Sequence, residues 1–139
     1  MIARTACVAG TLLDALADSP MSTDMADVSH PTIDSALDDC IAECRNCHEI
    51  CMRFAMTHCL EMGGDHVDPQ HFRLMIACAQ QCQATANVML CHTSLHGQVC
   101  AACAELCGAC ATTCERLGTM AECAEACRRC ASTCRSMAD

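Results

Sequence analysis

Cysteine recurs in this chain at alternating intervals of three and four residues, and it does so in several separate segments. Cys40, Cys44, Cys47 and Cys51 are spaced 4, 3, 4. Cys78 and Cys82 form a shorter pair, Cys100, Cys103, Cys107, Cys110 and Cys114 follow at 3, 4, 3, 4, and Cys123, Cys127, Cys130 and Cys134 at 4, 3, 4. Alternating steps of three and four keep a side chain on one face of a helix with 3.6 residues per turn. They are the inward positions of a helical bundle, filled with thiols where leucine would ordinarily sit. The stripe continues in other soft or borderline donors. His58 and Met62 follow Cys51, while His71, Met75, Met89, His92 and His96 share the face of Cys78 and Cys82. Met120 and Met137 extend the last stripe at both ends. Two cysteines fit less well: Cys59 falls beside the first stripe, and Cys91 about half a turn from Cys82.

The punctuation between stripes predicts four helices. Thr32 or Asp34 caps a first helix that runs to about Met62 and stops at Gly63-Gly64. Asp68-Pro69 reads as N-cap and first residue of a second helix, ending near Ser94–His96 with a break at Gly97. A third covers about Gln98–Leu117 and ends at Gly118, and Thr119 with Glu122 forms a capping box for a fourth, about Met120–Met137. Short connections between helices of this length imply an all-α, antiparallel, up-down-up-down four-helix bundle with a Cys-lined core. Residues 32–139 are the expected bundle domain. Residues 1–31, with Ser19-Pro20 and Ser29-His30-Pro31 and weak periodicity, read as a loose leader with at most a short helix around 3–17. The frame could also begin at Met21 or Met25, which would remove Cys7.

Composition limits the rest. Of 139 residues 18 are Cys, and Phe54 and Phe72 are the only aromatics. Such a core buries little apolar area, so something besides hydrophobic burial must help to hold it. The net charge is −9 and there is no Lys, which argues against nucleic acid and anionic membranes as partners. No apolar run approaches a membrane span. Arg4 alone, with Asp14 and Asp18 interrupting the apolar stretch, does not read as an export signal. A cytoplasmic location is expected, where thiols stay reduced and clustered cysteines more often mean metal than disulfide.

Three explanations compete for the stripes. Cysteine can be a small core hydrophobe, but a core of thiols alone packs poorly and leaves reactive groups without a purpose. A disulfide framework suffers from the near-parallel Cβ bonds of i and i+4 on one helix. Metal binding is the best account. Four thiolates on each Zn²⁺ would leave −2 per site, costly when repeated in a dry core. One Cu(I) per thiolate leaves zero, and this soft ion selects thiolate and thioether without needing a regular cage. Iron–sulfur clusters more often take cysteines from loops. Cu(I), many ions per chain, is the expected cargo, on the order of 15–18 if thiolates bridge. Candidate ligands are Cys40, Cys44, Cys47, Cys51, Cys59, Cys78, Cys82, Cys100, Cys103, Cys107, Cys110, Cys114, Cys123, Cys127, Cys130 and Cys134, with His58, Met62, His71, Met75 and Met120. His30, His48 and His66 read as surface residues. An antiparallel bundle would gather His58, Cys59, Met62, His71, Met75, Cys114, Met120 and Cys123 at one end. Cys40, His92, His96, Cys100 and Cys134 would meet at the other. No catalytic constellation stands out, so no enzymatic activity is expected. A zinc buffer, an iron–sulfur redox protein and a copper metallochaperone remain alternatives.

The segments CIAECRNCHEIC (40–51), CAQQC (78–82), CAACAELCGACATTC (100–114) and CAEACRRCASTC (123–134) resemble the cysteine-rich four-helix-bundle copper storage proteins of bacteria, over about residues 33–137. The resemblance implies storage without catalysis, Cu(I) held along the axis mainly by Cys pairs, association as a homotetramer, and copper admitted at an end bearing His or Met. That makes the end with His58, Met62, His71, Met75 and Met120 the candidate mouth, and the end with His92 and His96 competes for the same role. Exported members carry a twin-arginine signal; none stands near this start, which matches the cytosolic type. The long leader, Cys7 and Cys91 depart from the family pattern.

Overall fold

The computed structural model describes residues 35–138. The expected leader helix, Cys7 and the cap at Thr32 or Asp34 lie outside the described residues. Four helices follow one another without a strand among the described residues. Helix α1 (Ser35–Phe54) continues through a π turn (Ala55–Cys59) into a last α turn (Leu60–Met62). A 3₁₀ turn (Gly64–Val67) leads to α2 (Pro69–Leu90), then α3 (His96–Leu117) and α4 (Ala121–Met137). Each helix packs on two neighbours, α1 on α2 and α4, and α3 on α2 and α4. Cys40 near the start of α1 meets Cys134 near the end of α4, and Cys51 meets Cys123, so these two run antiparallel.

Local chemistry explains most boundaries. The Asp68 carboxylate accepts from the backbone N–H groups of Gln70 and His71, with Pro69 at the first helical position, as expected. Gly118 closes α3 at φ +73, a left-handed conformation that other residues adopt at a cost. Two expectations fail. α2 ends at Leu90 rather than at 94–96, because the chain turns through Cys91 and His92, the latter at φ 51. The break therefore precedes Gly97, which lies in the first turn of α3. A Cβ there would stand 3.3 Å from the Ala138 carbonyl oxygen, so this glycine serves close approach rather than a helix stop. Nor is there a capping box at α4. Met120 occupies the N-cap without a side-chain bond, and the Thr119 hydroxyl is taken by His66 at 2.8 Å and His58 at 3.3 Å.

The core is narrow. Beside the thiol stripe, buried alanines recur seven residues apart: Ala79 and Ala86, Ala104 and Ala111, Ala124 and Ala131. Methyl groups at these positions let helix backbones come close. On α1 and its π turn, Ile41 and Ala55 occupy the equivalent places, and between them His48 donates through Nδ1 to the Ala79 carbonyl at 2.8 Å, tying α1 to α2. Larger side chains such as Phe54, Phe72, Leu74 and Ile76 only cover the flanks. Arg53–Glu122 at 2.7 Å and Arg129–Glu43 at 3.3 Å bridge α4 to α1, and Arg128–Glu115 bridges α4 to α3. These pairs are exposed and screened by water, so they add little stability.

The π turn resets the phase of α1. A regular helix advances roughly 100° per residue, which would leave Cys59 about 80° from Cys51 and put His58 within about 20° of the stripe. One extra residue in the turn rotates Cys59 into the core and carries His58 and Met62 off the stripe. Cys59 is fully buried, whereas Met62 is 54% exposed. Deleting Met56 should convert the π turn to regular α-helix while leaving Cys59 buried. Deleting Glu49 instead should rotate Cys51 outward. Thiol labelling of the apo protein, read by peptide mass mapping, should find Cys59 protected in the first variant and Cys51 labelled in the second.

Candidate metal centre

Among the described residues every cysteine except Cys91 is buried, and none forms a disulfide. Their sulfurs form an unbroken column. It can be followed from Cys40 to Cys134 (3.7 Å), Cys44 (3.5 Å), Cys130 (3.6 Å) and Cys82 (3.8 Å). It continues through Cys107 (3.4 Å), Cys47 (4.0 Å), Cys127 (3.7 Å) and Cys51 (3.4 Å). Cys123 (3.6 Å), Cys114 (3.7 Å) and Cys110 (4.0 Å) complete it. Cys103 touches Cys82 and Cys107 from the side, and Cys78 touches Cys107. These separations far exceed the ~2.05 Å of a disulfide bond. Contacts between helices are as close as those within one: Cys47–Cys51 and Cys103–Cys107 at i, i+4 both lie at 3.9 Å. The helical stripes supply the thiols, and the bundle supplies the pairing.

Several sets of sulfurs lie within 4.8 Å of one another: Cys44, Cys103, Cys130 and Cys134; Cys47, Cys78, Cys82 and Cys107; Cys47, Cys51, Cys78 and Cys127; Cys82, Cys103, Cys107 and Cys130; and Cys40, Cys100 and Cys134. The groups overlap. Cys47 and Cys78 belong to two, as do Cys82, Cys103, Cys107, Cys130 and Cys134. Separate four-coordinate ions could not all be satisfied at once, whereas ions joined by bridging thiolates could. That sharing suits a soft ion of low coordination number.

Sulfur of a different kind closes the column. At the expected mouth Cys59 lies 3.7 Å from Met75 Sδ and 3.9 Å from Met120 Sδ, all three buried, with Cys114 and Cys123 one layer inside. His71, one turn before Met75, is also buried. His58 stands partly exposed outside with His66, their rings 5.2 Å apart and both bonded to Thr119. At the opposite end the Cys100 thiol donates to Met89 Sδ at 3.7 Å. Cys40, Cys100 and Cys134 meet there, but His92 is exposed and His96 bonds the Thr93 carbonyl through Nδ1 at 2.8 Å. Met89, not among the expected ligands, was nevertheless visible in the stripe of α2. Thr113, which bonds His71, carries no such signal. Cys91 is exposed, its thiol donating to the Asn87 carbonyl.

The column cannot carry all its charges at once. Hydrogen bonds from neighbouring thiols, that of Cys107 foremost, lower Cys47, Cys78 and Cys103, and those of Cys110 and Cys134 lower Cys123 and Cys40. Their partners are raised in turn, Cys44 and Cys82 chiefly through Cys103, Cys51 and Cys127 chiefly through Cys110. Toward the ends burial dominates: Cys59 and Cys100 are each pushed up to about 11. Desolvation likewise lowers His71 below the usual histidine value, favouring the neutral ring.

Comparison with known proteins agrees with this geometry. The family described as copper storage protein matches residues 33–139. The Nmul_A1745 protein from Nitrosospira multiformis is 50% identical, with a TM-score of 0.74 over 76% of this chain and 96% of that one. The Cu(I)-bound copper storage protein BsCsp3 is 34% identical, with a TM-score of 0.68 over 75% and 99%. Apo-Csp3 from Bacillus subtilis is 35% identical, with a TM-score of 0.65 over 73% and 98%. A search of curated proteins returned no significant match. With the family matched over residues 33–139, which hold 17 of the 18 cysteines, and a thiol column along the axis to go with it, this chain belongs to the copper storage protein family.

Proposed function

We propose that the protein stores many Cu(I) ions along its axis, each held by two or more thiolates with bridging between neighbours. The observation that carries this is the continuity of the column: sulfurs stand at 3.4–4.0 Å from Cys40 to Cys110 with no gap. The ligands are Cys40, Cys44, Cys47, Cys51, Cys78, Cys82, Cys100, Cys103, Cys107, Cys110, Cys114, Cys123, Cys127, Cys130 and Cys134. Cys59, Met75, Met120 and His71 hold ions at the mouth, and His58 and Met62 meet them outside it. Thioethers are neutral and bind Cu(I) more weakly than thiolates, which suits transfer inward. The role is storage without catalysis, in the cytoplasm, by a homotetramer of bundles. The exposed Met56, Leu60, Leu90 and Leu95 are surface that assembly would cover. No helix among the described residues is long and apolar enough to cross a membrane. Residues 32–139 act as the storage domain, with 1–31 as an accessory leader. A copper chaperone would need an exposed thiol pair, and Cys91 stands alone in its exposure among the described cysteines.

Anaerobic titration of the reduced protein with Cu(I), followed by gel filtration and metal analysis, should retain roughly 15–18 ions per chain. Saturation at about one to four ions would point instead to a discrete cluster or transfer site. Binding should raise the melting temperature, because ions held only by the folded column stabilise it; equal temperatures with and without copper would remove that role. Proton linkage gives a further expectation. Cys59 and Cys100 stay protonated up to about 11 when folded, against 9.0 for an unperturbed thiol. The folded apo protein therefore binds more protons between those values, and its stability should fall as pH rises from about 9 to about 11. Anaerobic urea midpoints at pH 7, 9 and 11 would test the sign.

A further inference from the structure

One helical turn before Met75 lies one buried nitrogen that has nothing to bond. His71 is 1% exposed, and its Nε2 is the only buried side-chain nitrogen or oxygen among the described residues without a hydrogen-bond partner. The other ring nitrogen is engaged: Nδ1 lies 3.1 Å from Thr113 Oγ1 on α3. A hydroxyl has a single proton, and Thr113 gives it to the Cys110 carbonyl, 3.0 Å away in its own helix. Toward the imidazole, Thr113 Oγ1 can then only accept, so Nδ1 must carry the hydrogen. In a neutral imidazole this leaves Nε2 with a free lone pair. The opposite tautomer would bury an N–H with no acceptor, a rarer arrangement than a buried acceptor without a donor.

We infer that Thr113 is a positioning residue for copper: it locks His71 in the Nδ1–H tautomer and so presents Nε2 as a neutral nitrogen donor beside Cys59, Met75 and Met120. His71 and Met75 are four residues apart on the same buried face of α2, and Met75 Sδ is 3.7 Å from Cys59 Sγ. The relay from imidazole to hydroxyl to backbone carbonyl does what the second hydrogen bond of a metal-bound histidine commonly does, fixing ring orientation and strengthening the free nitrogen as a donor. The donor set at this end differs from the column proper: one thiol, two thioethers and one imidazole. A single Cu(I) there displaces one proton, from Cys59, and the resulting site carries no net charge.

The inference rests on the copper-storage reading, and its test separates the two. The full chain, labelled with ¹⁵N in its histidines, should show His71 protonated at Nδ1 in the apo state. On loading with Cu(I) the His71 Nε2 resonance should move while the Nδ1 proton remains. Thr113→Val, which removes the hydroxyl at nearly constant shape, should leave a mixture of tautomers, and Thr113→Ser should restore the single one. An Nε2–H tautomer in the apo protein overturns the inference, as does a pure Nδ1–H tautomer surviving in Thr113→Val. A stationary Nε2 resonance in a protein that takes up roughly 15–18 ions overturns it too, and leaves storage standing. Uptake of a few ions with a shifted Nε2 would retain the His71 site and reject storage.

Discussion

Along the bundle axis thiol meets thiol at 3.4–4.0 Å, and the helices can come that close because alanines flank the stripe on α2, α3 and α4. The rest of the molecule follows from this contact. A Cys side chain is small, so the inner layer is narrow and the aliphatic and aromatic residues are displaced to the flanks, where Phe54, Phe72 and Ile76 are only partly buried. Apolar burial, the usual source of stability, is correspondingly thin. Polar cross-links such as His48 to the Ala79 carbonyl and the ion pairs of α4 add definition rather than much energy. The apo protein is a mould whose filling contributes to holding its walls together.

The same closeness limits charge. Where one sulfur is ionised, its neighbours must remain S–H to donate to it, so Cys47 and Cys103 are favoured as thiolates only while partners such as Cys44 and Cys82 are disfavoured. Cu(I) removes this conflict by replacing protons with an equal charge, so that every thiolate can exist in a neutral column. The identity of the ion thus follows from the spacing of the ligands as much as from their softness.

Much of this was legible in the sequence, for a definite reason. Steps of three and four report the face of a helix directly, so Cys40 to Cys51 and Cys100 to Cys134 fell where expected, and Asp68-Pro69 marked its helix start because capping is local chemistry. The failures occurred where phase or context changes. A single extra residue in the π turn at Ala55–Cys59 brings Cys59 inward and sends Met62 outward, and no residue type there announces it. Thr119 and Glu122 have the letters of a capping box, but the hydroxyl is claimed by two histidines distant in sequence. Gly97 looked like a helix stop and is a point of close approach to the end of α4. The partnership of His71 with Thr113 joins two helices and leaves no periodic trace.

The overlap of the thiol groups has a kinetic meaning. Because Cys47, Cys82, Cys107 and Cys130 each belong to more than one group, an ion leaving one set of sulfurs is already within reach of the next. Where the groups overlap, an ion can move by exchange of one ligand at a time and keep a thiolate throughout. The column is then a conduit as well as a container: an ion taken up at one end need not be the one released there, and the protein can fill and empty by displacement, in the manner of beads pushed along a tube.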